Sequence, residues 1–345
     1  METKKLSFGR KVWNFVKGNP IVILLVLGAI VVGCFTDNFF SWVNFSNLAS
    51  NTAVRFLIAL GVSGCLITKG TDLSAGRQLG FAACLAGLLL QRPNYTGRMF
   101  DWLPSMYPNV PVWVWMLLTL VIVVAVGALF GLLNGAIISY LNVPPFITTL
   151  GTQTIIYGIS LIITDAQPIG GFQKAYTELV TGRIGSSTGF QLPYLLFIAL
   201  IFGLLFWFIY NKTRHGKYMY AIGGNEVAAE VSGVNTRRAK ISIYMTAGIM
   251  YAIAGYLLAA KSGGTSASMG SGYELEAIAG CTIGGVSTTG GIGTIGGVLV
   301  GVLVFEFLKI VLQFLGVNPY YNYMVQGIVI VTAVALDIRK YIAKK

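Results

Sequence analysis

Long apolar runs, interrupted by short clusters of glycine, proline and charge, dominate the pattern of the chain, and ten are legible. The first covers about residues 17–35, the second 54–68 and a short third 79–90. The fourth, 112–141, is closed by Asn142-Val143-Pro144-Pro145, because Pro144 and Pro145 cannot continue its hydrogen-bond ladder. The remaining runs are 146–163, 192–210, 241–260, a short 277–286, 292–314 and 322–336. A membrane-crossing helix needs about 20 apolar residues. The longer runs therefore predict transmembrane helices, whereas the second, third and eighth are too short to cross alone and predict broken or re-entrant elements. Gly127, Gly131 and Gly135 recur every four residues, a spacing that lets two helices approach closely in lipid. The first run follows Lys4, Lys5, Arg10, Lys11 and Lys17 like a signal peptide, but no small-x-small cleavage site ends it, so it reads as an uncleaved helix.

Composition agrees with this pattern. Hydrophobic residues make up 55% of the 345 residues and charged residues 10%, far from the roughly 25% of a soluble domain. The expected fold class is an all-α polytopic membrane protein in a single domain, 1–345, with about ten transmembrane elements, some short or broken. The formal charge of +12 does not call for nucleic acid. Lys and Arg gather in segments 1–20, 68–78, 211–240 and 337–345, and the alternation of ten elements puts all of these on one side. By the excess of Lys and Arg in cytoplasmic loops, both termini are expected inside. Cys34, Cys65, Cys84 and Cys281 lie in apolar stretches without metal spacing and read as small packing residues. His215 is the only histidine, which excludes His-pair metal sites, and no Gly-x-x-x-x-Gly-Lys-Ser/Thr loop is present to cradle a nucleotide. No cofactor is expected on this chain.

Two breaks stand out. Gly70, Ser74 and Gly76 match Gly285, Thr289 and Gly291 at one constant offset, which is read as a duplicated core with glycine-interrupted spans in both halves; coincidence among 43 glycines is the competing reading. Asp72 in the first break is either a functional intramembrane group or an acceptor for local backbone N–H groups, with Lys69 and Arg77 as alternative partners. Gly70 and Gly76 are expected to permit the turn. In the second break, Thr288, Thr289, Gly290 and Gly291 either line a pathway or pack near a dimer axis. Glu306 and Lys309, three apart, can share a helix face and pair. Glu274 and Glu276 are placed at the outer end of the eighth element, to meet a partner or to form a solvated rim.

The longest polar stretch between spans is 211–240. After Gly223-Gly224, Asn225 can cap a helix, Glu226 sits favourably in its first turn, and Gly233 can end it. Val227 and Val231, four apart with Ala228 beside them, form an apolar stripe flanked by Lys212, Arg214, Lys217, Arg237, Arg238 and Lys240. Such an element either presses into a groove of a soluble partner or lies on anionic lipid.

The segment from Gly223 to Val234 resembles the coupling loop of the ribose/xylose/galactoside family of ABC importer permeases. The stretches 70–76, 142–151 and 284–291 resemble the same family, and the likeness runs from about residue 20 to 340. Within it, 70–78, 273–279 and 316–320 are similar to members that carry galactose or methyl-galactoside. The resemblance implies a permease subunit in a bacterial inner membrane, with a second copy of itself completing one pathway. It implies a cytoplasmic ATPase with two fused nucleotide-binding domains, which uses the ATP, and an extracytoplasmic sugar-binding protein. Carried over residue by residue, Asn225, Glu226, Val227, Ala228, Ala229, Glu230, Val231 and Gly233 form the element that couples to the ATPase. The alternative is a secondary transporter whose ion coupling uses Asp72, Glu274, Glu276 or Glu306.

Overall fold

A computed structural model describes residues 20–36, 38–99, 110–185, 189–318 and 320–342. The basic segment 1–19 and Lys344-Lys345, part of the charge asymmetry read above, lie outside the described residues. Each of the ten apolar runs forms a helix: α1 Pro20–Phe35, α2 Trp42–Ile67, α3 Ala75–Leu89, α4 Val112–Tyr140 and α5 Pro145–Thr164. Among the described residues, three helices fill the loops, α6 Lys174–Thr181, α8 Arg214–Gly224 and α9 Glu226–Val231, and the remaining apolar helices are α7 Tyr194–Lys212, α10 Thr236–Ser262, α11 Tyr273–Ile283, α12 Ile295–Phe314 and α13 Tyr321–Ile342. The strands β1 Arg183–Gly185 and β2 Gln191–Pro193 pair antiparallel in a small hairpin. Among the described residues, six helices are long and apolar enough to cross a membrane: α2, α4, α5, α7, α10 and α12.

The second run is longer than its hydropathy suggests. Ser41 caps α2 by accepting from the Asn44 N–H at 3.2 Å, so the asparagine-bearing stretch 42–53 is helix and not a loop. α2 and α10 form the buried centre, with Leu57, Ile58, Leu60, Tyr244 and Tyr251 inaccessible to solvent. α4 packs along α10 through the predicted glycine row. The missing side chains of Gly127, Gly131 and Gly135 face the α10 backbone at Gly248, Tyr244–Met245 and Ile241. Pro145 occupies the first turn of α5, where a missing N–H costs nothing.

α11 is a short helix that begins inside the bundle. After α10 ends at Gly263 (φ 68°), the chain folds back along α3: Thr265 lies beside Gly87, Met269 beside Gly80 and Gly270 beside Gly76. α11 therefore starts at mid-depth, which puts Glu274 and Glu276 inside the protein at 8% and 9% exposure. The expected outer rim is corrected, because the glycine loop descends into the bundle instead of staying at its surface. Cys65, Cys84 and Cys281 are buried, whereas Cys34 is exposed on α1.

Candidate functional site

The two breaks lie at one end of the bundle and touch each other. After α2, Gly70 N–H donates to Cys65 O (2.9 Å) and Lys69 N–H to Leu66 O (2.9 Å); after α11, Val286 N–H donates to Cys281 O (2.9 Å) and Gly285 N–H to Thr282 O (3.0 Å). Both are left-handed helix caps, with Lys69 at φ 62° and Gly285 at φ 85°. A local side-chain turn follows each. Asp72 Oδ1 accepts from Ser74 N–H at 3.0 Å, and Ser287 Oγ accepts from Thr289 N–H at 3.3 Å. The side-chain turns match at the offset read from the sequence, but the caps match one residue later, with Lys69 on Gly285 and Gly70 on Val286, so the Gly70–Gly285 correspondence does not hold in the structure. Gly291 N–H then donates to Ile67 O at 2.8 Å and joins the breaks directly.

Asp72 is fully buried, and its local acceptor role is visible in the geometry: Ser74 donates its N–H at 3.0 Å and its hydroxyl at 2.5 Å. Among the described residues neither Lys69 nor Arg77 pairs with it; Lys69 reaches Gly224 O at 3.5 Å and Arg77 reaches Ala267 O at 3.3 Å. Ser74 also accepts from Gln78 Nε2 (2.8 Å) and Asn134 Nδ2 (3.0 Å), while Thr152 donates to Asn134 Oδ1 (2.6 Å). The break is thereby tied to α4 and α5, as polar groups in an apolar surrounding require. Gly76 does not form the turn. It lies inside α3, where a side chain would strike Gly270 and Glu274, so its role is close packing. In the second break Gly290 (φ 88°) and Gly291 (φ 75°) hold left-handed conformations, and Gly290 faces the Lys69 side chain. Thr288 and Thr289 lie on the same turn.

The polar segment 211–240 holds two helices where the sequence showed one. α8 is the additional one, capped by Thr213, which accepts from Gly216 N–H. α9 starts as expected, with Asn225 Oδ1 accepting from Ala228 N–H at 3.1 Å, and Gly233 follows it at φ 87°. Ala229 is buried, whereas Val227 and Val231 are 71% and 84% exposed and form a bare apolar stripe beside Ala228 and Glu230. Glu226 pairs with Lys240 of α10 at 2.5 Å and fixes α9 against the bundle. Behind α9, the end of α8 is wedged against both breaks. Gly223 packs on Ile67 O and Gly291 N, and Tyr220 donates to Gly293 O at 2.8 Å. His215 lies beside Ser242 at 3.2 Å, and burial holds its pKa below the usual imidazole value. The positive charge of this face thus comes from Lys and Arg.

Sequence patterning did not reveal the charge cluster at mid-depth. Arg55 Nε lies 2.7 Å from Glu276 and 2.6 Å from Glu306, and Lys309 Nζ lies 2.6 Å from Glu276 and 3.3 Å from Glu306. Gln326 of α13 donates to Glu276 at 3.0 Å. The Glu306–Lys309 pair was legible from spacing. Arg55 and Glu276 reach it only through tertiary packing of α2 and α11. Among the described residues, no group of His, Cys, Asp and Glu is placed to hold a metal ion.

Comparison with known proteins agrees with this architecture. Residues 44–334 match a family described as the permease component of branched-chain amino acid transport systems. The chain is 46% identical over 333 residues to the galactose/methyl galactoside import permease protein of Escherichia coli (strain K12), covering 95% of this chain and 96% of that protein. It is 46% identical to the protein of the same name in Haemophilus influenzae over 342 residues, covering 97% and 98%. The ribose import permease protein of Bacillus subtilis (strain 168) is 35% identical over 345 residues, covering 99% of each chain. No solved structure matches. With a family match across most of its length and relatives that align end to end, the chain belongs to this family of transport-system permease components and is a membrane transport subunit, not an enzyme.

Proposed function

We propose that the chain is the membrane subunit of an ATP-driven, binding-protein-dependent importer of galactose or methyl-galactoside. The cargo reading rests on the relatives named above. Two copies form the pathway, an extracytoplasmic sugar-binding protein delivers the cargo, and the protein lies in a bacterial inner membrane. The end bearing α8 and α9 faces the cytoplasm, together with both termini, as the Lys and Arg distribution favours. There α9 docks into an ATPase with two fused nucleotide-binding domains. ATP is held by that partner, and this chain binds no cofactor.

The observation that carries the mechanism is the position of α9: its outer face bears the exposed pair Val227 and Val231, and its root, Gly223, rests on both helix breaks. A partner that moves α9 moves the ends of α2 and the segment before α12. A shift between two arrangements needs differential contact in each, and this lever supplies it. Of the four carboxylates offered for a proton-coupled alternative, three are held by neighbouring side chains, and Glu274, which is buried, accepts from the Gly272 N–H at 3.3 Å. Glu276 and Glu306 each face Arg55 and Lys309, and Asp72 is bonded to Ser74.

The test is uptake into vesicles carrying the permease, the ATPase and a matched binding protein, with galactose compared with ribose. ATP-dependent galactose uptake is expected. Val227→Asp or Val231→Asp is expected to leave the permease folded but weaken its complex with the ATPase at least about tenfold, the equivalent of about 1.4 kcal/mol. Uptake that continues without the ATPase and collapses with the proton gradient would overturn this reading.

A further inference from the structure

At the end opposite α9 a cleft of about 750 Å³ opens between the first turns of α2, the β1 hairpin and the ends of α10 and α12. That volume falls within the range of about 300–1,000 Å³ typical of small-molecule sites. Its wall is a row of amides. Asn44, Asn47 and Asn51 stand at i, i+3 and i+7 on α2, and Gln313 faces them from α12. Asparagine is a poor helix former, and a row of amides facing hydrocarbon would lose its hydrogen bonds. The row is explained if the cleft holds water or a polar ligand.

The polar groups differ in how far they are committed. Asn47 Oδ1 accepts from Arg183 at 3.2 Å, and Arg183 also donates to Gln191 at 2.8 Å. Lys261 Nζ donates to Asn51 Oδ1. Both cations are thus tied by neutral amides. Among the described residues the amide nitrogens of Asn47 and Asn51 and the whole Gln313 amide carry no protein hydrogen bond, leaving donors and an acceptor directed at the cleft. No carboxylate is among the described lining residues, and Phe314 supplies an apolar ring. The amides hold Arg183 and Lys261 in place without neutralising them, and the uncommitted amide donors and acceptors beside Phe314 suit a polyhydroxyl compound. Continuing the same helix face, Arg55 lies four residues beyond Asn51, and from Asn44 to Arg55 the helix rises about 16 Å, so the amide row leads to the mid-depth charge cluster.

We propose that this cleft is an entry subsite for a neutral monosaccharide on its way into the permease, with Asn47, Asn51 and Gln313 as its hydrogen-bonding groups. This rests on the sugar-import reading above. The test uses the complete transporter in vesicles. Asn47→Cys or Gln313→Cys, each in a Cys34→Ser background, is treated with a membrane-impermeant methanethiosulfonate from the binding-protein side. Rapid labelling that galactose slows several-fold is expected, as is a several-fold lower maximal uptake in Asn47→Leu and its recovery in Asn47→Gln. No labelling at either position, labelling indifferent to galactose, or protection by galactose 1-phosphate but not galactose would each overturn the proposal; the last would mark an anion site. A wild-type complex that imports neither galactose nor ribose would defeat the sugar-import reading itself. Normal import with an unprotected cysteine would defeat only the subsite.

Discussion

Across α2, α11 and α12, each of the carboxylates Glu276 and Glu306 lies within 3.3 Å of both cations, Arg55 and Lys309. A single charge at the centre of a membrane helix costs about 2.5–3.5 kcal/mol on insertion scales. Mutual pairing offsets that cost and leaves the cluster neutral. Arg55→Met removes one cation, leaving two buried carboxylates against Lys309 alone, and is expected to destabilise the protein by about 3–5 kcal/mol. Thermal unfolding in detergent checks this, and adding Glu306→Gln should restore much of the loss by returning the site to neutrality. A double variant no more stable than Arg55→Met would show that charge balance is not what holds these helices. One half of the cluster could be seen in the chain, since Glu306 and Lys309 are three residues apart on one helix. Arg55 and Glu276 are separated by 221 positions, and no local pattern links them.

At the scale of elements, local chemistry was a good guide wherever it was self-contained. The α4 glycine row, the Pro144-Pro145 stop, the Asn225 cap and the Gly233 terminator all work through neighbouring backbone atoms, and each is found in the structure. Asn225→Ala removes the acceptor for Ala228 N–H, and caps of this kind contribute about 1 kcal/mol. Because α9 is only six residues long, that loss is expected to weaken ATPase binding about fivefold in a pull-down or interferometry measurement. Unchanged binding would mean that α9 is held by its Glu226–Lys240 pair and not by its cap. The first turns of α2 were missed for a related reason. Hydropathy reads 36–51 as a loop, yet Ser41 caps a helix there and the asparagines face a cleft that accommodates them. Gly76 was assigned to a turn and instead packs against Gly270, a contact created by the folded-back glycine loop.

At the scale of the whole molecule, the structure joins parts that are distant in sequence. The end of α8 rests on Ile67 O and Gly291 N, so the exposed α9 and both helix breaks form one mechanical unit. Gly223→Ala puts a methyl group into that contact. It is expected to leave the ATPase bound and hydrolysing while sugar uptake falls severalfold; a parallel loss of complex and uptake would show that the contact supports docking and not transmission. The chain alone determined that it is a helical membrane protein, which end is basic, where most helices stop and which short segment could be capped beside a valine pair. These follow from hydropathy, backbone chemistry and charge, all readable over a few neighbouring residues. Only the tertiary structure decided that α11 begins at mid-depth, that four charges neutralise one another there and that an amide-lined cleft opens above them. Such features depend on which helix faces which, and that is set by packing between segments tens to hundreds of residues apart.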